Sequence, residues 1–246
     1  MDTKVLRKVR QGNGKKQLIC FPYLGGYASA FTDVIQGLED DIEVWVVNPP
    51  GHGGCSIPLK ENIDSLISFY YSQIKEIIKP ECLFFGHSMG GVVAYFLVQK
   101  ILECKEVETS HIQLAISASG IPSEFENKSY STLSDEDLIA HVVSYGGMPD
   151  EILAEKSLLD FLVPVFRADF KVLETAAVHL FEKMDVPAYI IWGNQDNIVS
   201  LQAALQWSEY FKREIKLIII GEGDHMFLHS QAPVVADHLM KILVMM

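Results

Sequence analysis

The chain is short of several things that would place it elsewhere. Its four cysteines, Cys20, Cys55, Cys82 and Cys104, have neither a paired spacing nor the density of a disulfide-stapled scaffold, so reduced thiols and a cytoplasmic setting are expected. Basic residues are outnumbered, 20 Lys and Arg against 32 Asp and Glu. The resulting net charge of −12 repels polyphosphate and anionic lipid at long range, which argues against a nucleic-acid or membrane-surface partner. No apolar run approaches the roughly 20 residues of a membrane span. Met1 to Lys16 carries scattered Lys and Arg without the apolar stretch a secretory signal needs. Repeats and low-complexity tracts are lacking too, which excludes solenoid and disordered architectures.

What is there fits one folded domain over residues 1–246. Apolar residues make up 49% of the 246 and charged residues 21%, enough to build one sizeable core. Short apolar runs recur at Gln17 to Phe21, Glu43 to Val47, Cys82 to Phe85, Gln113 to Ser119, Ala188 to Trp192 and Lys216 to Ile220. Most are continuous in hydrophobicity, as strands covered on both faces by helices must be. Between them, Ile63, Leu66, Ile67, Tyr70, Ile74, Ile77 and Ile78 follow steps of three and four and predict one apolar helix stripe. Val92 to Leu102 and Val234 to Val244 read the same way, so a mainly parallel, doubly wound α/β sheet follows.

From about 121 to 183 the strand signal vanishes and helical pattern replaces it. Ser134 with Asp137 resembles a capping box, Gly146 suits a helix end and Pro149 the first turn of the next helix. A helical lid inserted over the strand ends is the expectation.

The sharpest chemical signal is Gly86-His87-Ser88-Met89-Gly90. Two glycines flanking a serine arise by chance in roughly one chain in ten of this length, so the pentapeptide alone decides little. Its setting decides more, because Cys82 to Phe85 predicts a strand before it and Val92 onward a helix after it. That is the context of a nucleophile elbow in an α/β-hydrolase fold, where the serine turns so sharply that residues two away must be small.

A serine hydroxyl needs a base, and the base an orienting carboxylate, in the chain order Ser, Asp or Glu, His. Asp196 follows the strand ending at Trp192, and His225 follows the strand ending at Ile220. Both therefore leave the carboxyl edge of the sheet, where such sheets bind ligands. Glu222 and Asp224 are competing carboxylates, although they flank His225 on its own loop. His229 is the competing base, while His238 falls inside the last predicted helix and His179 inside the lid, where surface or packing roles are expected. Oxyanion donors are expected from the backbone N–H of Met89, after the nucleophile, and of Leu24, in Phe21-Pro22-Tyr23-Leu24-Gly25-Gly26.

Together these pieces resemble the type II thioesterases of polyketide and nonribosomal peptide synthesis. The marks are the Phe21 to Gly26 loop, Pro49-Pro50-Gly51-His52-Gly53, the elbow, Phe166-Arg167-Ala168-Asp169-Phe170, and Gly223-Asp224-His225-Met226-Phe227-Leu228. The Phe-Pro loop and the Arg-Ala-Asp-Phe stretch separate this family from general esterases. The resemblance implies Ser88 as nucleophile, Asp196 as acid and His225 as base. It also implies hydrolysis of acyl or peptidyl groups from the phosphopantetheine arm of a carrier protein, often to clear a stalled assembly line. The family commonly has Arg where this chain has His52, and often an acidic residue at Asn194. Arg167 and Asp169 are read as a structural ion pair or as residues with a role in the cap.

No metal or bound cofactor is implied, and a monomer is expected. Two other readings compete, a carboxylesterase or lipase acting on free esters and a hydrolase-fold protein that binds without catalysis.

Overall fold

The computed structural model describes residues 4–107, 111–146, 148, 150–179 and 182–246. All six apolar runs become strands, and one strand appears that hydropathy does not show. In chain order they are β1 (Leu6–Arg10), β2 (Lys16–Phe21), β3 (Glu43–Val47), β4 (Glu81–His87), β5 (His111–Ser117), β6 (Ala188–Gly193) and β7 (Lys216–Ile220). Among the described residues they form a seven-stranded sheet ordered β1-β3-β2-β4-β5-β6-β7. Every pairing is parallel except that of β1 with β3. Strand β1 escapes a hydropathy reading because Arg7, Lys8 and Arg10 sit on an edge strand that buries little. Its Arg10 guanidinium donates to the Ile35 and Leu38 carbonyls at 2.7 Å each, adding a second donor to the Ile35 carbonyl, which already accepts from Leu38 N–H.

Helices alternate with the strands: α1 (Thr32–Gln36), α2 (Ile63–Ile74), α3 (Met89–Cys104), α4 (Asp135–Val143), α5 (Asp150–Ala154), α6 (Lys156–Ala177), α7 (Leu201–Gln206), α8 (Phe227–Ser230) and α9 (Ala232–Val244). Alternate strand residues feed opposite layers. Ile19, Phe21, Cys82 and Phe84 join the core beneath α2, α3 and α6, whereas Leu18, Cys20, Leu83 and Phe85 join the core beneath α1, α8 and α9. Covering both faces is what lets a parallel strand be apolar throughout. Each fully buried Ile, Leu or Phe contributes about 1.5–3 kcal/mol to that packing.

The predicted stripe of α2 is too long by one turn. The helix ends at Ile74, and the turn that follows is held by the Gln17 side chain, which donates to Ile77 O and accepts from Lys79 N–H. Ile78 still packs against the core from the turn that follows.

Between β5 and β6 the described residues form no strand of the sheet. The chain runs through two 3₁₀ turns and then α4, α5 and α6. Ser134 caps α4, accepting from Asp137 N–H and donating to its carboxylate, and Gly146 adopts φ +81° after the helix. Pro149 lies outside the described residues. The long helix α6 anchors this segment. Its Glu174 accepts from Ser131 N–H and Oγ–H at 2.9 and 2.6 Å.

Candidate active site

Strand β4 delivers Ser88 into a turn that ordinary backbone does not make. The residue sits at φ 53°, ψ −122°, strain of about 1–3 kcal/mol that persists only where the surroundings over-determine it. Ser88 N–H donates to Ser117 O at 2.7 Å, and Ser88 O accepts from Gly91 N–H at 2.9 Å. A Cβ on Gly86 would strike the Gly90 backbone, and one on Gly90 would strike the Phe21 carbonyl. The flanking glycines are a steric requirement.

The loops after β6 and β7 bring Asp196 and His225 to the same place. His225 Nδ1 lies 3.0 Å from Asp196 Oδ2 and 3.2 Å from Oδ1, and Nε2 lies 3.1 Å from Ser88 Oγ. An ionised carboxylate only accepts, so Nδ1 carries the proton and the Nε2 lone pair faces the Ser88 hydroxyl. Asp196 Oδ1 also accepts from Ile198 and Val199 N–H at 2.8 and 2.9 Å. Burial pushes this carboxyl up, but the hydrogen bond and charge of His225, with the two amides, outweigh burial and hold it below the ordinary carboxylate range.

His87 braces the base from behind. Its ring is fully buried, with Nε2 3.0 Å from His225 O and Nδ1 2.9 Å from Ser117 Oγ. The carbonyl accepts, so Nε2 carries the single proton and Nδ1 accepts from the serine hydroxyl. Burial, helped by neighbouring His225, pushes the His87 pKa down to about 3, and the ring stays neutral.

The competing residues go elsewhere. His229 bonds the Tyr23 hydroxyl at 3.0 Å, His179 pairs with Asp64 at 3.3 Å, and His238 lies on α9. Asp196, not Glu222 or Asp224, faces the His225 ring. Arg167 and Asp169 do not form an ion pair with each other. Two positions apart on a helix they project from different faces. Arg167 grips Asp135 Oδ1 at 2.6 Å and the Ser131 and Leu133 carbonyls, while Asp169 turns inward to His52 and Gly25.

Two cavities meet at Ser88 and His225. One, of about 600 Å³, is walled mainly by apolar side chains that include Val142, Leu162, Phe166 and Met226. The other, of about 510 Å³, has a more polar wall with Glu124, Lys128, Ser144 and Asn197, and Leu24 and Met89 line it together with Ser88. Among the described residues neither the Leu24 nor the Met89 amide pairs with a backbone carbonyl of its turn. Among the described residues no cluster of three or more His, Cys, Asp or Glu side chains is arranged for a metal ion.

A serine, an imidazole and a carboxylate in hydrogen-bonded series at the carboxyl rim of a mainly parallel sheet define an α/β-hydrolase. Within that class the Thioesterase domain family model matches residues 16–243, and the chain belongs to that family of thioester hydrolases. It is 31% identical over 219 residues to the gramicidin S biosynthesis protein GrsT of Aneurinibacillus migulanus, covering 88% of this chain and 84% of the relative. It is 26% identical to the thioesterase PikA5 of Streptomyces venezuelae, covering 93% and 82%. Its fold is that of the type II thioesterase BorB from the borrelidin biosynthetic cluster, with TM-score 0.85, 24% identity and 99% of each chain covered.

Sequence reasoning named no task for His87, and it did not link His52 to Asp169. The first sits inside the elbow motif, where position in the motif was the available signal. The second pair is separated by 117 positions, and nothing in a linear pattern joins them.

Proposed function

We propose that the protein hydrolyses acyl or peptidyl thioesters held on the phosphopantetheine arm of a carrier protein, with Ser88, His225 and Asp196 as its catalytic residues. The observation that carries this reading is the Ser88–His225–Asp196 series standing where two cavities join, one for each side of a thioester. His225 Nε2 takes the Ser88 proton as Oγ attacks the carbonyl carbon. The carbonyl oxygen becomes an oxyanion, and this reading assigns the Met89 and Leu24 N–H groups as its donors. Collapse breaks the C–S bond, and the sulfur leaves with the proton from His225. A thiol with pKa near 8.5 departs readily, so little acid assistance is needed. Water then attacks the acyl-enzyme, His225 takes its proton, and the acid is released as Ser88 regains hydrogen.

Cavities of this size lie within the roughly 300–1,000 Å³ of small-molecule sites. The apolar one suits an acyl chain and the polar one the amide-rich pantetheine arm. In this reading the chain is one domain working as a monomer, and the segment from about 121 to 183 is its lid. The role of GrsT in gramicidin S biosynthesis favours an assembly-line setting.

The test is incubation with a panel of acylated carrier proteins, matched acyl-CoA and matched oxyesters, with mass measurement of the pantetheine arm. Release of acid from the carrier, dependent on Ser88, is expected. A strong preference for the free oxyester would mark a general carboxylesterase instead. Failure of folded wild-type protein to react with a fluorophosphonate would remove the catalytic reading.

A further inference from the structure

His52 and Asp169 stand outside the catalytic series, yet both are buried, at 4% and 6% exposure. Asp169 comes from the middle of α6 and His52 from the loop after β3. His52 Nε2 lies 3.0 Å from Asp169 Oδ2, and that same oxygen accepts from Gly25 N–H at 2.8 Å. On its far side His52 Nδ1 lies 2.9 Å from Pro50 O. Both ring nitrogens therefore face oxygens that accept, and an imidazole satisfies both at once only with a proton on each nitrogen. The pattern calls for an imidazolium.

The amide gripped by Asp169 matters because of where it lies. Tyr23 O accepts from Gly26 N–H at 2.8 Å and Gly25 has φ +71° while Leu24 is not among the positive-φ residues, which makes Tyr23 to Gly26 a type II turn. Gly25 N–H belongs to the central peptide of that turn, the unit whose flip converts one turn type into another. Holding it fixes ψ of Leu24, one bond from the amide assigned above to the oxyanion.

We propose that His52, as its protonated imidazolium, is a positioning residue that holds Asp169 on the Gly25 amide and so sets the Leu24 N–H for transition-state stabilisation. This rests on the reading of Leu24 as an oxyanion donor. Burial opposes the charge on His52, but Asp169 and the two hydrogen bonds raise its pKa above the ordinary value. Turnover is therefore expected to fall at alkaline pH as His52 loses its charge: the remaining proton stays on Nε2 toward the carboxylate, the Nδ1 lone pair then opposes Pro50 O, and the attraction that holds Asp169 in place weakens. The other titratable groups facing this pair are Tyr70 of α2, Tyr23 beside the turn, and Lys60 and Cys55 on the His52 side. Across the larger cavity stand Tyr27, Tyr145, His225 and His229. Burial raises Tyr23, Tyr70 and Tyr145 and lowers His229, moving each away from the window in which His52 loses its proton.

The experiment is a pH profile of kcat and KM on an acylated carrier protein, corrected for spontaneous hydrolysis, for wild type, His52→Ala, His52→Arg and Asp169→Asn, with thermal midpoints recorded. Wild type is expected to show an alkaline limb in kcat. His52→Ala is expected to lose roughly 10- to 100-fold in kcat with KM within about twofold, less than the 10²–10³ of losing an oxyanion donor outright. His52→Arg, permanently charged, is expected to recover most of that turnover and to lack the alkaline limb. Asp169→Asn moves the limb to lower pH, a result that stands even if the arginine variant does not fold. An alkaline limb unmoved in every folded variant, or His52→Ala that lowers only the thermal midpoint, overturns the proposal. Ser88→Ala run alongside separates the two readings, since retained turnover there would sink the catalytic assignment itself.

Discussion

Ser88→Ala removes the attacking oxygen while leaving the backbone contacts of the elbow in place. Turnover is expected to fall by roughly 10⁴- to 10⁶-fold, read as single-turnover release of acid, with binding of the acylated carrier retained. Asp196→Asn keeps the shape but lets the ring settle with its proton on the wrong nitrogen, so kcat is expected to drop by about 10⁴. His87 acts one step further back. Because it stays neutral across any practical assay pH, His87→Ala is expected to lower kcat without moving either limb of the pH profile. Truncation also leaves the His225 carbonyl without its buried donor, a loss of about 1–3 kcal/mol that a denaturant titration would detect.

At the scale of elements, the elbow and the α6 helix carry the site. Gly90→Ala forces the β4–α3 turn away from the end of β2, where no flexible side chain can give way. A cost of about 2–3 kcal/mol is expected, lowering the melting midpoint by about 4–12 °C for a chain of this size; an unchanged midpoint would show that the turn relaxes. Helix α6 links the segment above the site to the loops below it through Asp169, Arg167 and Glu174. The His52–Asp169 contact gives that link a pH dependence. Since the folded pKa of His52 is raised, its stabilisation is fully present below the unfolded value of about 6.5. It is lost as pH rises through the folded pKa. Wild type is thus expected to lose thermal stability relative to His52→Arg across that interval, and parallel curves for the two would contradict it.

For the molecule as a whole, a net charge of −12 disfavours encounter with an acidic carrier. Raising ionic strength from about 50 to about 300 mM is expected to lower KM by screening that repulsion, and a rise in KM would indicate a local basic docking patch. The sequence by itself marked Ser88, Asp196 and His225, in that order, as the candidates, because each follows a strand end and strand ends announce themselves by hydropathy and glycine. It determined the alternation of apolar strands with striped helices, because period and burial are locally coupled. Strand β1 was hidden, since an edge strand buries too little to need an apolar run. Only the tertiary structure decided that His225 takes Asp196 rather than its own neighbours, that Arg167 and Asp169 part company, and that His52 and Asp169 meet over the Gly25 amide. These are contacts between groups far apart in the chain, set by how helices pack on a twisted sheet, and a linear pattern has no coordinate for that distance.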